Sequence, residues 1–115
     1  MLVFVYNADA GRLNALLDTA HKILSPATYH CRLCELSYGL FKENAEWQKF
    51  RQSLSEPVRF LHRDEFQNQF NRVLSEYPGL LRVERHGQTL LLNAKQINAC
   101  QTTTDLIRLC QQAIA

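Results

Sequence analysis

Leu2-Val3-Phe4-Val5-Tyr6 is apolar without a break. A short continuous run of this kind predicts a strand covered on both faces, as in a parallel sheet flanked by helices. The period then changes. Leu13, Leu16, Leu17, Ala20, Ile23 and Leu24 recur at helical spacing, which predicts a helix over about 10 to 24. Asp9 is its expected N-cap, because a carboxylate there can accept from the first free amides. Pro26 is its expected stop, because proline disfavours helical geometry in the residue before it.

The stretch 25 to 44 has no clean period and is too long for an idle connector in a small domain. It contains Cys31-Arg32-Leu33-Cys34, with a short helix expected from about Cys31 and Gly39 as its stop. Asn44 is the expected cap of a helix over about 45 to 55 that buries Trp47, Phe50 and Leu54. Val58 to His62 reads as a second strand. Asp64 is the expected cap of a short helix bearing Phe66, Phe70, Val73 and Leu74. Tyr77-Pro78-Gly79 is a turn signal. Leu80 to Arg85 and Gln88 to Asn93 flank His86-Gly87 as a hairpin. Thr102 and Asp105 open a last amphipathic helix with Leu106, Ile107, Leu109, Cys110 and Ile114 on its apolar side.

In order this is strand, helix in two pieces, strand, helix, strand, strand, helix, an arrangement that resembles the thioredoxin-like proteins. The resemblance implies an α/β fold: one thioredoxin-like domain over 1 to 115, with a mixed four-stranded sheet flanked by helices. The first strand would lie beside the second, and the final hairpin would be antiparallel. The Cys-x-x-Cys pair would ride in an insertion between the first helix and the second strand. Thioredoxin-like proteins carry a cis-proline at the start of the third strand, so the resemblance makes Tyr77-Pro78 the expected cis bond. They carry their cysteines directly after the first strand. Here that position reads Asn7-Ala8-Asp9-Ala10-Gly11, so their catalytic roles do not transfer position by position. Val5-Tyr6-Asn7-Ala8-Asp9, the run from His21 to Tyr29, the cysteine pair and Phe60-Leu61-His62-Arg63-Asp64-Glu65-Phe66 also resemble a small family of uncharacterised bacterial thioredoxin-like proteins. The label GTPase has been attached to such proteins. A phosphate-cradling P-loop needs a Gly-rich turn followed by Gly-Lys-Ser/Thr, and this chain contains no such run.

Composition narrows the field. With 115 residues, 46% hydrophobic, the chain suits one domain with a real core. A net charge of +2, with basic residues scattered among acidic ones, excludes the basic, aromatic-laced stripe that marks nucleic-acid binding. No apolar run approaches the roughly 18 to 20 residues of a membrane span. The N-terminal run lacks the basic start of a signal peptide, so the expected compartment is cytoplasmic. There the four cysteines are expected to be reduced, and a close pair is redox-active or metal-binding more often than structural.

The spacing leaves three chemistries open for the pair. In thiol–disulfide exchange, Cys31 would be the more exposed attacking thiol, favoured by His30 and Arg32, and Cys34 would resolve the mixed disulfide with a protein thiol or small thiol partner. No cofactor is required. In a zinc site, Cys31 and Cys34 would bind together with His30 or His21. In the third, both cysteines simply pack. A parallel pair of strands gathers Asn7, Asp9, His62, Asp64, Tyr77 and Pro78 near the strand ends, where open α/β sheets bind ligands. These residues are the candidate substrate-binding set. The leading expectation is a redox or redox-sensing protein. The alternative is a non-enzymatic binding module or a zinc-binding interaction domain.

Overall fold

The structure is a computed structural model that describes residues 1–8, 31–37 and 43–115. The helix expected over 10 to 24, with its Asp9 cap, His21 and Pro26, lies outside the described residues, as do His30 and Gly39.

The described residues form β1 (Leu2–Val5), α1 (Arg32–Ser37), α2 (Ala45–Ser53), β2 (Val58–Leu61), α3 (Arg63–Phe70), β3 (Gly79–Glu84), β4 (Gly87–Leu92), α4 (Ala94–Asn98) and α5 (Thr103–Ile114). The sheet is mixed and four-stranded, in the order β2-β1-β3-β4. β1 runs parallel to β2 and antiparallel to β3, and β3 and β4 form an antiparallel hairpin. The hairpin turns at Arg85-His86, one residue earlier than the sequence suggested, and Glu84 pairs with Gly87.

β1 occupies the centre of the sheet and is buried along its whole length. Its alternation divides the core into two layers. Leu2 and Phe4 face a cluster completed by Cys31, Leu33, Cys34, Trp47, Phe50, Leu80, Leu92, Ile97, Cys100, Leu106 and Cys110. Val3 and Val5 face a second cluster with Leu61, Phe66, Leu74 and Leu81. Helices α1, α2, α4 and α5 therefore cover one face, and α3 covers the other. Covering both faces is what permits the unbroken apolar run. Phe4 stacks on Phe60 (centroids 5.0 Å apart) and meets the edge of Trp47 at 5.4 Å. Leu91 and Leu92 both join the first cluster because the register slips between Leu80 and Leu81, placing Leu90 opposite Leu81.

Local chemistry sets the helix ends. Asn44 Oδ1 accepts from the amides of Glu46 and Trp47 at 2.9 and 3.1 Å, which starts α2 where expected. Thr102 Oγ1 accepts from Asp105 N–H at 3.0 Å and starts α5. The cap of α3 differs from expectation. His62, not Asp64, is the capping position, and Glu65 reaches back to accept the His62 amide at 2.8 Å. Asp64 sits inside the first turn, with its carboxylate on the Glu65 amide. α3 ends at Asn71, whose φ of 49° is left-handed, a conformation asparagine tolerates. Val73 thus falls beyond the helix and is 72% exposed rather than part of its apolar face.

A candidate dithiol site at the end of the central strand

Cys31 stands at the N-terminal boundary of α1. Its carbonyl accepts the Glu35 amide at 3.0 Å, the first helical bond, and its sulfur accepts the Cys34 amide at 3.2 Å. The same sulfur also receives the backbone N–H of Asn7, just past β1, at 3.5 Å. The segment carrying the cysteines therefore returns to the C-terminal end of β1, which is the upper end of the parallel strand pair.

Cys31 and Cys34 are joined in a disulfide, with their Cα atoms 5.3 Å apart, inside the range such a bridge requires. The expectation that Cys31 is the more exposed thiol is corrected: Cys31 is 0% exposed, whereas Cys34 retains 9%. The cause is the position of Cys31 beneath the end of β1, within the apolar cluster. In the bridged form neither sulfur is available to a metal. Among the described residues no group of three or more His, Cys, Asp or Glu side chains is arranged to hold one.

The strand ends are laced together above the sheet. Tyr6 N–H donates to the Leu61 carbonyl, and Arg63 N–H to the Ala8 carbonyl, both at 2.9 Å. Arg63 also places one guanidinium nitrogen 3.1 Å from Asn7 Oδ1. The His62 ring lies 5.5 Å from that of Tyr6, and its Nδ1 is 2.5 Å from Glu65 Oε1. The backbone amide of His62, followed by its ring, holds the Glu65 carboxyl below the usual carboxylate range. Asn7, His62 and Cys31 are thus neighbours at one end of the sheet.

Pro78 is buried, and the Tyr77-Pro78 bond is cis, as the resemblance implied. Since Val5 pairs with Gly79, Pro78 lies one residue beyond the last β1–β3 pair, beside the Tyr6–Asn7 end of β1. The Tyr77 side chain points elsewhere. Its hydroxyl accepts the Leu74 amide and the Gln67 carboxamide N–H at 3.0 Å each, and its ring packs on the second cluster, across the sheet from the cysteines. Tyr77 anchors the chain between α3 and β3 and does not face the cysteine pair. Asp64 is committed to the first turn of α3, and Asp9 lies outside the described residues.

Two residues that sequence reasoning did not single out help to build the site. Arg63 grips Asn7. Asn98, at the end of α4, accepts the first amide of α1, that of Arg32, at 3.1 Å. The helix bearing Asn98 had a local signal in Asn93-x-x-Gln96, whose side chains and amides cap each other at 2.8 and 2.9 Å. The contacts of Arg63 and Asn98 are long-range and leave no local mark.

Cys100 and Cys110 are buried free thiols. Burial, with Asp105 adding to it, raises the Cys100 thiol above its ordinary range, and burial pushes Cys110 up to about 12. Both remain neutral thiols at ordinary pH and are poor nucleophiles.

The fold and site define an α/β protein with a mixed four-stranded sheet and a Cys-x-x-Cys bridge at the end of its central strand. No helix among the described residues is long and apolar enough to cross a membrane. No family model, curated protein or solved structure matches the chain.

Proposed function

We propose that this is a thioredoxin-like protein whose Cys31–Cys34 pair carries out thiol–disulfide exchange, acting on a protein thiol or small thiol in the cytoplasm. One observation carries the reading: the Cys31 sulfur accepts two backbone N–H groups, from Asn7 and Cys34. A thiolate is a far better acceptor than a disulfide sulfur, so donors aimed at one sulfur favour the state in which negative charge rests there. The strand order and the proximity of the pair to the end of β1 support the thioredoxin-like assignment.

Burial reverses the roles expected of the two cysteines. An incoming substrate thiolate meets Cys34, the cysteine with residual exposure. It forms a mixed disulfide with the Cys34 sulfur while the Cys31–Cys34 bond breaks, and the electron pair departs on Cys31. The amides of Asn7 and Cys34 stabilise that leaving thiolate, and a better leaving group speeds exchange. The second substrate thiolate then attacks its own bridged sulfur, closing the substrate disulfide and releasing Cys34. Two electrons and two protons pass from the substrate dithiol to the pair. The reverse sequence reduces a substrate disulfide.

The burial of both cysteines favours a second reading, in which the bridge only staples α1 within a non-enzymatic binding module. One experiment separates the two. The native protein is treated with excess dithiothreitol; one portion is quenched with a maleimide and weighed by mass spectrometry, and a second, unquenched portion is freed of dithiothreitol and offered bis(2-hydroxyethyl) disulfide before its own quench. Reduction within minutes, followed by reoxidation of the pair by the small disulfide, is the expected result. A bridge that opens only once the protein is unfolded leaves the staple.

A further inference from the structure

We propose that Arg63 is a positioning residue for the Cys31 sulfur, acting through Asn7, whose carboxamide it grips and whose backbone amide meets that sulfur. The inference rests on the dithiol reading above and extends it to a residue that acts on the cysteine through Asn7. Asn7 directly follows Tyr6, the last residue of the apolar run, and is only half-buried. Its N–H reaches Cys31 Sγ at 3.5 Å, a long contact that depends on where the strand end is held. Three hydrogen bonds among the described residues help to hold it. The Tyr6 amide is tied to the Leu61 carbonyl, the Ala8 carbonyl takes the Arg63 amide, and the Arg63 guanidinium takes Asn7 Oδ1 at 3.1 Å. Arg63 makes two of these bonds, one through its backbone and one through its side chain. Of these bonds the side-chain one is removable by substitution, and it acts on the residue whose amide faces the sulfur.

A donor held at the right place stabilises the Cys31 thiolate more than it stabilises the bridged sulfur. Loosening it therefore disfavours the reduced pair and shifts the equilibrium toward the disulfide. The test is the redox equilibrium of the full chain in dithiothreitol buffers of defined ratio, read by alkylation and mass. Arg63→Met is expected to shift the equilibrium toward the bridge by up to about tenfold, or ~30 mV for a two-electron couple. Asn7→Ala, which keeps the amide but removes the carboxamide, is expected to give a similar shift. The double variant is expected to match the larger single effect rather than the combined effect, because the two residues act as one unit. Thermal unfolding of each variant accompanies the titration. If Arg63→Met does not fold, Asn7→Ala alone decides. Wild-type equilibria in the folded variants overturn the proposal, and so does full additivity, which would mean that Arg63 acts on the sulfur by its charge alone. A wild-type protein that never equilibrates with dithiothreitol while folded instead removes the dithiol reading on which the proposal stands.

Discussion

The backbone amide of Asn7 and the sulfur of Cys31 are 3.5 Å apart although 24 residues separate them. That contact places the cysteine pair at the strand end where thiol chemistry would have neighbours to use. It also fixes which sulfur is sheltered: Cys31 lies under the strand, and Cys34, one helical turn on, lies nearer solvent.

The two cysteines should consequently behave differently when separated. With Cys31→Ser, Cys34 is expected to form a stable mixed disulfide with glutathione disulfide, because the internal thiol that would expel it is gone. With Cys34→Ser, the sheltered Cys31 is expected to react at least about tenfold more slowly, since exchange requires access to the attacking thiolate. Intact mass after timed quenching measures both. Faster trapping in Cys34→Ser would restore Cys31 as the entry sulfur.

Cys110 makes the fold sensitive to alkali. Its thiol ordinarily loses its proton near 9, and burial raises this to about 12. The folded state therefore binds more protons than the unfolded chain between those values. Stability is full below about pH 9 and falls as pH rises toward 12, with a limiting slope of about 1.4 kcal/mol per pH unit from this group. Cys100 is shifted the same way and adds to the loss. Urea midpoints collected from pH 7 to 10.5 should decline above 9, and Cys110→Ala should shallow that decline. An unchanged slope in Cys110→Ala would mean that another group governs the alkaline limb.

Trp47 is fully buried between Phe4 and Phe50, and its indole N–H has no hydrogen-bond partner among the described residues. A buried donor without a partner costs free energy, about 1–3 kcal/mol on general grounds. Trp47→Phe loses volume but also removes that donor, so it should cost no more than about 1.5 kcal/mol. Trp47→Ala should cost about 3–5 kcal/mol by opening a cavity. Chemical unfolding of the two variants checks the ordering. Equal losses would indicate that the indole nitrogen is satisfied in solution.

What could be read from the sequence follows the range of the interactions involved. The buried β1 run, the hairpin, the Asn44 and Thr102 caps and the parallel β1–β2 pair all have local or periodic causes, and each is found in the structure. The apolar period runs on to Val73, past the left-handed Asn71 that ends α3, so the period alone puts Val73 on a helix face it does not occupy. By residue type Asp64 reads as the cap of α3, but the Glu65 side chain returns to the His62 amide and makes His62 the capping position. The relative exposure of Cys31 and Cys34 depends on the end of a strand 24 residues away. No spacing within Cys31-Arg32-Leu33-Cys34 encodes it, and the same holds for Arg63 and Asn98.

Asn98 offers the clearest test of how α1 is held. The first amide of a helix has no partner within it, and in α1 that amide, on Arg32, is taken by Asn98 Oδ1 from a different helix. Thr103 Oγ1 donates to the Leu36 carbonyl near the other end of α1 at 2.8 Å. The two bonds clamp the cysteine-bearing helix against α4 and α5. Loss of a helix-capping acceptor typically costs about 1 kcal/mol, so Asn98→Ala should lower stability by about that amount in the bridged protein. In the reduced protein the covalent loop between Cys31 and Cys34 no longer restrains the start of α1, and the same substitution should cost more. Unfolding Asn98→Ala and wild type with and without dithiothreitol, in a double-mutant-cycle format, reads the difference directly. An identical penalty in both states would mean that Asn98 holds α1 independently of the bridge.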